Sequence, residues 1–255
     1  MRGDRRDARP AERAKPADRW RMMSVMARLP RLELPGWPHL VCLQVVADDV
    51  LVRDAEDRKA LWVAMVSASR SHPVAVHAYA VTAAALWVVV TPAEPGALGV
   101  FMQAIGRRYV AAFNHRHDRK GSLWAGRFRA APLDPARYLL EAMLLVETRP
   151  DAGPAGEPGT SSLAHHLHQR TDALVQDHAR FWALGNTPFE REAAWRRWLD
   201  AGVSAADAAD LTAAVLKGWA LAPADRLGVM AAGASRRVAP RPRGRPRKTP
   251  VGESV

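Results

Sequence analysis

Two short β-branched runs, residues 74–81 and 85–91, stand only three residues apart, and no other feature constrains the fold of this chain as tightly. A crossover to a parallel strand needs about a dozen residues or more, so the two runs are expected to pair as antiparallel neighbours across a tight connection. Side chains alternate along a strand, which puts Ala85 and Trp87 on one face of the resulting sheet.

Around this pair the remaining pattern falls into place. Residues 39–46 read as a buried strand, and residues 54–70 as an amphipathic helix carrying Leu61, Trp62, Met65 and Val66. Pro95 and Gly96 open a helix over 97–115, in which Leu98, Phe101, Met102, Ile105 and Tyr109 recur at helical spacing. A strand or extended hairpin over 122–133 leads into a helix over 135–148, with Pro135 in its first turn. This order predicts an α+β fold, a ferredoxin-like sandwich of an antiparallel sheet and packed helices.

After Pro150 the character changes. Residues 151–160 are rich in Gly and Pro and read as a loop, and three helical patterns follow at 189–201, 205–216 and 224–232. The chain is therefore expected to comprise a disordered N-terminal extension (1–25), a core domain (26–165), a small helical C-terminal extension (166–234) and a disordered basic tail (235–255).

The net charge of +11 favours a polyanionic partner, yet the charge is unevenly placed. Residues 1–31 hold ten Lys/Arg against four Asp/Glu, and residues 235–255 hold seven against Glu253, so each end carries +6 and the middle is left near −1. Cys42 is the single cysteine, which excludes an intrachain disulfide and suits a reducing compartment. No apolar run approaches the roughly 20 residues of a bilayer span, and neither end has a secretory pattern. A cytoplasmic, nucleoid-associated protein with no membrane partner is expected.

Several blocks carry a resemblance. They include Arg28-Leu29-Pro30-Arg31, Gly106-Arg107-Arg108-Tyr109-Val110, Leu123-Trp124-Ala125-Gly126-Arg127-Phe128-Arg129 and Arg137-Tyr138-Leu139-Leu140. Ser161-Ser162 with His165-His166, and Ala183-Leu184-Gly185-Asn186-Thr187-Pro188, complete the series. In order and spacing, from Met26 to Lys248, the chain resembles the REP-associated tyrosine transposases, single-tyrosine enzymes of the HUH class. The resemblance implies DNA strand cleavage and transfer through a phosphotyrosine, with Mg²⁺ or Mn²⁺ held by paired histidines.

At the positions of those two histidines this chain has Ala85 and Trp87, and the position of the nucleophilic tyrosine is Leu145. The metal-assisting asparagine is replaced by Arg149. Alanine has no donor atom, the indole nitrogen keeps its proton, leucine is no nucleophile, and a guanidinium repels a cation. Losing all four should leave no measurable strand cleavage, so no catalytic residue and no metal cofactor is expected, and Trp87 is expected to fill core space. Tyr138 is no substitute, because two helical turns separate it from Leu145 by about 10 Å.

A DNA partner remains. Arg107, Arg108, Arg116, Arg119, Lys120, Arg127 and Arg129 stand against Asp118 alone, with Tyr109, Trp124 and Phe128 interleaved. Cations and aromatic platforms together suit phosphate contact and base stacking. If Trp124 and Phe128 point inward on a strand, Arg127 and Arg129 are left outside. The tail offers a second route, since Arg243-Gly244-Arg245-Pro246-Arg247-Lys248 resembles an AT-hook. Gly244 would let the backbone approach the floor of an A/T-rich minor groove with Arg243 and Arg245 along it. His115-Arg116-His117 reads as a solvated basic patch, and His165, His166 and His168 lack a nearby cysteine or matching acid, so neither group is expected to hold a metal.

The reading is a transposase-like DNA-binding protein without catalysis, its partner a hairpin single strand or an A/T-rich duplex, with monomer and homodimer both open. Two alternatives stand beside it: an active DNA-cleaving transposase using other residues, and a protein-interaction module with no DNA role.

Overall fold

The computed structural model describes residues 30–149 and 159–241. The expectations for residues 1–25, for most of the loop 151–160 and for the hook-like residues 243–248 lie outside the described residues. The chain runs β1 (His39–Gln44), α1 (Ala55–Ser71), β2 (Val74–Val81), β3 (Ala85–Pro92), α2 (Ala97–Arg116), β4 (Arg129–Pro132) and α3 (Pro135–Glu147). The four strands form one antiparallel sheet in the order β2-β3-β1-β4, so the α+β sandwich is present. Thr82 closes the tight β2–β3 connection, its hydroxyl accepting from Ala85 N–H at 3.0 Å.

Strand alternation gives the sheet two buried faces. Val41, Leu43, Leu86, Val88 and Val90 share one apolar cluster with Leu61 and Met65 of α1 and Phe101, Ile105 and Tyr109 of α2. Leu40, Cys42, Ala85, Trp87 and Val89 share the other with Leu139, Met143 and Val146 of α3. Near His77 the pairing register of β2 shifts by one residue, so Val76 and Tyr79 lie in the same cluster despite their odd spacing.

Local chemistry sets the helix ends. Asp54 caps α1 by accepting from Asp57 N–H at 3.0 Å, and Asp134 caps α3 by accepting from Arg137 N–H at 3.1 Å, with Pro135 in the first turn. Gly96 precedes α2 at φ 83 and offers no side chain, and Glu33 takes over by accepting from Leu98 N–H at 3.1 Å.

After residue 159 come α4 (Leu163–His166), α5 (Ala179–Trp182), α6 (Pro188–Ala201), α7 (Ala205–Lys217) and α8 (Ala224–Ala232). The one-turn helices α4 and α5 were not expected, because four residues display no periodicity. Trp195 of α6 and Leu211 and Val215 of α7 are buried in the same cluster as Trp87, so these helices complete the core behind the sheet. Segments 159–162 and 172–178 lie along edge strand β2, where Val175 bridges Val76 and Ser161 bridges Ala80.

Two expectations need correction. Only 129–132 of the stretch 122–133 is a strand, with Trp124 making a single bridge to Val45. The Ser122 hydroxyl pairs with both the N–H and the carbonyl of Trp124, and this local bonding competes with a ladder. The basic tail also starts later than composition implies. Val238 is buried, Ala220 N–H donates to its carbonyl at 2.9 Å, and the Arg236 guanidinium lies 4.8 Å from the Trp219 ring centre. Among the described residues no helix is long and apolar enough to cross a membrane.

Candidate nucleic-acid interface

The four positions that the resemblance marks as catalytic do converge. Ala85 and Trp87 of β3 share the sheet face covered by α3, and Leu145 packs against the same apolar cluster. Trp87 is 6% exposed, and the Arg149 guanidinium carbon sits 3.9 Å from its ring centre. Cys42, opposite Trp87 in register, has its thiol pushed up to about 12 by burial, against the opposing pull of Arg149 and Arg129. Nearby His77 is committed to structure: Nδ1 donates to the Gln176 carbonyl at 2.7 Å and Nε2 pairs with the Thr91 hydroxyl at 2.8 Å. Indole, leucine, methyl and guanidinium together offer neither a metal-binding donor nor a nucleophile.

The seven expected phosphate-binding cations separate into groups. Arg116 is clamped to Asp54 at 2.7 Å and to buried Asp57 at 2.5 Å, and His117 meets Asp57 at 2.8 Å. The expected solvated patch at 115–117 is thus a tie between the end of α2 and the start of α1, created because α1 opens with two carboxylates. Hydrogen bonds from Arg116 hold the Asp54 carboxyl well below the usual range, and Asp54 and Asp57 in turn raise Arg116. Arg119 pairs with Asp49, Arg108 donates to the Ser67 hydroxyl at 2.9 Å, and Arg129 donates to the Leu216 carbonyl at 2.5 Å. Lys120 is exposed.

Arg107 and Arg127 instead meet at one cavity of about 710 Å³, and Arg31 joins them. It is lined by the small residues Gly99 and Gly106 of α2 and by Trp124 and Phe128, and no acidic residue lines it among the described residues. Arg31 lies 3.7 Å over the Phe128 ring and donates through Nε to the Phe128 carbonyl at 3.2 Å. Burial first, and the like charge of Arg127 second, lower the pKa of Arg31. The buried indole Nε1 of Trp124 has no hydrogen-bond partner. Gly106 makes room for it, since a Cβ there would lie 3.1 Å from that nitrogen. Cations beside a half-buried indole suit contact with a phosphodiester.

No protein-family model and no curated protein matches the chain. Among solved structures it is similar to a REP-associated tyrosine transposase bound to a REP hairpin, at 14% identity over 60% of this chain and 92% of that chain, with a TM-score of 0.44.

Sequence reasoning placed Arg107 and Arg127 in this neighbourhood but missed Arg31, which is distant in the chain. Its only signal was the block Arg28-Leu29-Pro30-Arg31. The expectation that Trp124 and Phe128 turn inward while Arg127 and Arg129 stay outside holds, although 124–128 is not strand: Phe128 is buried, Trp124 half-buried and both arginines exposed.

Proposed function

We propose that this chain is a transposase-like DNA-binding protein that holds DNA at the Arg31, Arg107 and Arg127 surface and does not cut it. The observation that carries the reading is the cavity lined by Arg31, Arg107, Arg127 and Trp124, which has no acid among its described lining residues. Bringing like charges together costs free energy in the isolated protein, and a polyanion relieves it while releasing its own counterions. The replacement of the nuclease residues by Ala85, Trp87, Leu145 and Arg149 supports binding without cleavage, because nothing there can polarise or attack a phosphate.

Fluorescence anisotropy with a hairpin oligonucleotide and an A/T-rich duplex, read across a salt series, tests the proposal. Arg107→Glu with Arg127→Glu should weaken binding and reduce the salt slope by about 1.5 to 2, the loss of two phosphate contacts. Truncation after Arg241 tests the hook without disturbing Val238. Incubation with Mn²⁺ and the hairpin should yield no covalent adduct. Unchanged affinity in the double variant would favour a protein-interaction module, and an adduct that survives denaturation would restore the enzyme.

A further inference from the structure

His165, His166 and His168 have no acid beside them in sequence, but the fold supplies one. Gln176 N–H donates to the Val76 carbonyl at 2.7 Å, and this seating of segment 172–178 on β2 brings Asp177 against α4. His165 Nε2, His166 Nε2 and Asp177 Oδ1 all lie within 4.8 Å of one another. The carboxylate oxygen is 3.3 Å from the first nitrogen and 3.6 Å from the second. His168, at φ 52, is exposed and outside the group.

We propose that His165, His166 and Asp177 bind one divalent cation of the zinc class, at a site made of other residues than Ala85, Trp87 and Arg149. The His166 side chain is wholly buried, and its Nδ1 pairs with Glu147 at 2.5 Å. With the proton on Nδ1, the Nε2 lone pair faces Asp177. That nitrogen is buried and has no hydrogen-bond partner, and the buried Asp177 Oδ1 facing it meets the His165 Nε2–H at 3.3 Å. A lone pair facing a carboxylate oxygen is repulsive, and a cation between them turns both into ligands.

The geometry fits such an ion. Bonds of about 2.0–2.1 Å in a tetrahedral arrangement place ligand atoms about 3.3 Å apart, close to the two nitrogen–carboxylate separations, and the two nitrogens, within 4.8 Å of each other, would be drawn together by the ion. Two imidazoles and one carboxylate favour Zn²⁺ over Mg²⁺ and leave a fourth position for water. Glu147 supplies the carboxylate that orients a metal-bound histidine, and it is itself held by the Ser162 hydroxyl and by Trp195 Nε1 at 3.1 Å. The side chains of His165 and Asp177 are 17% and 14% exposed, which gives an ion a way in.

Two features oppose loading. His165 Nδ1 accepts from Asp172 N–H at 3.1 Å, so its proton sits on Nε2. Metal binding must move that proton to Nδ1 and break the bond with Asp172 N–H. Arg191, whose charge also reaches Asp177, competes with the ion. A bound cation would tie segment 159–168 to segment 172–178 along the edge of β2.

Chelator-treated full-length protein titrated with Zn²⁺ should take up one ion per chain and melt at a higher temperature, and Co²⁺ should give the visible absorption of four-coordinate nitrogen and oxygen ligation. Asp177→Asn should weaken uptake by about 100-fold or more, while His168→Ala should leave it unchanged. Should Asp177→Asn fail to melt cooperatively without metal, His165→Gln provides the second variant. No uptake by the parent chain at pH 8, uptake that survives Asp177→Asn or His165→Gln, or uptake lost in His168→Ala would overturn the site.

Discussion

Replacing Trp87 with alanine measures how completely the sheet face beneath α3 is core. An indole presents about 200 Å² of apolar surface, which at about 25 cal/mol per Å² is worth about 5 kcal/mol, less about 1 kcal/mol for the methyl retained. With Trp87 only 6% exposed, nearly all of this is lost in the variant, in line with the 3–5 kcal/mol typical of large-to-small core changes. Arg149 loses its ring as well. For a half-buried guanidinium 3.9 Å from the ring centre that adds about 1 kcal/mol. The sum, about 5 kcal/mol, is a large fraction of the 5–15 kcal/mol that holds an ordinary domain together.

Urea denaturation supplies the test. The midpoint of Trp87→Ala should fall sharply with the m-value unchanged, and a double-mutant cycle with Arg149→Met should return a coupling of about 1 kcal/mol. A loss below about 1 kcal/mol at unchanged m would mean that the indole fills nothing. The face would then be open, and the reading of Trp87 as core would fail.

Three further outcomes follow from particular contacts. His39 is buried, with Nδ1 donating to the Trp37 carbonyl at 2.8 Å and Nε2 accepting from Leu34 N–H at 3.2 Å, and burial lowers its pKa to about 4. The unfolded chain thus takes up a proton that the folded chain refuses, so stability is full above about pH 6.5 and falls by about 3 kcal/mol as pH drops to 4, and a thermal midpoint flat across that window in an otherwise matched His39→Gln comparison would refute it. Asp172 accepts from Tyr79 Oη at 2.6 Å, Trp62 Nε1 at 3.0 Å and Leu174 N–H at 3.0 Å, and Asp172→Ala, which strands all three donors, should cost about 3 kcal/mol or more in denaturant. Gly106→Ala removes no charge but crowds Trp124 Nε1, so DNA affinity should drop several-fold, up to about 1 kcal/mol, at constant salt slope; a changed slope would mean that the indole is not the group affected.

What the chain revealed before its structure was mostly local. The β2–β3 pair, the Asp54 and Pro135 helix starts and the 205–217 helix follow from short-range pattern, and the shared face of Ala85 and Trp87 follows from period two alone. Long-range partners were not legible. Arg31 meets Phe128 and Arg127, and Asp177 meets His165 and His166, only because the sheet brings their segments together. Charge counting failed for the same reason. Across 107–129 it found one acid, Asp118, whereas the acids that engage Arg116 and Arg119 lie at 49, 54 and 57.

That pairing divides α2 by function along its length. Residues between 99 and 111 line the cavity, Gly99, Gly106 and Arg107 among them, and the last turn of the helix is neutralised by the opening carboxylates of α1. Pairing rather than position is then what withholds Arg116 from a phosphate, and Asp54→Asn separates the two explanations. Asparagine caps a helix as well as aspartate does, so α1 should keep its start, and an exposed ion pair contributes little to stability. The Asp54 carboxyl lies well below the ordinary range through its Arg116 bonds, so lowering pH to mildly acidic values would not break the pair and only the substitution does. With one of its two carboxylates gone, Arg116 should add to DNA binding, steepening the salt dependence by up to about 0.9 for a duplex. A slope identical to that of the parent chain would leave the Asp57 bond as what withholds Arg116, and a slope still unchanged when Asp57→Asn is added would show that the end of α2 faces away from DNA, so that position displaces pairing as the explanation.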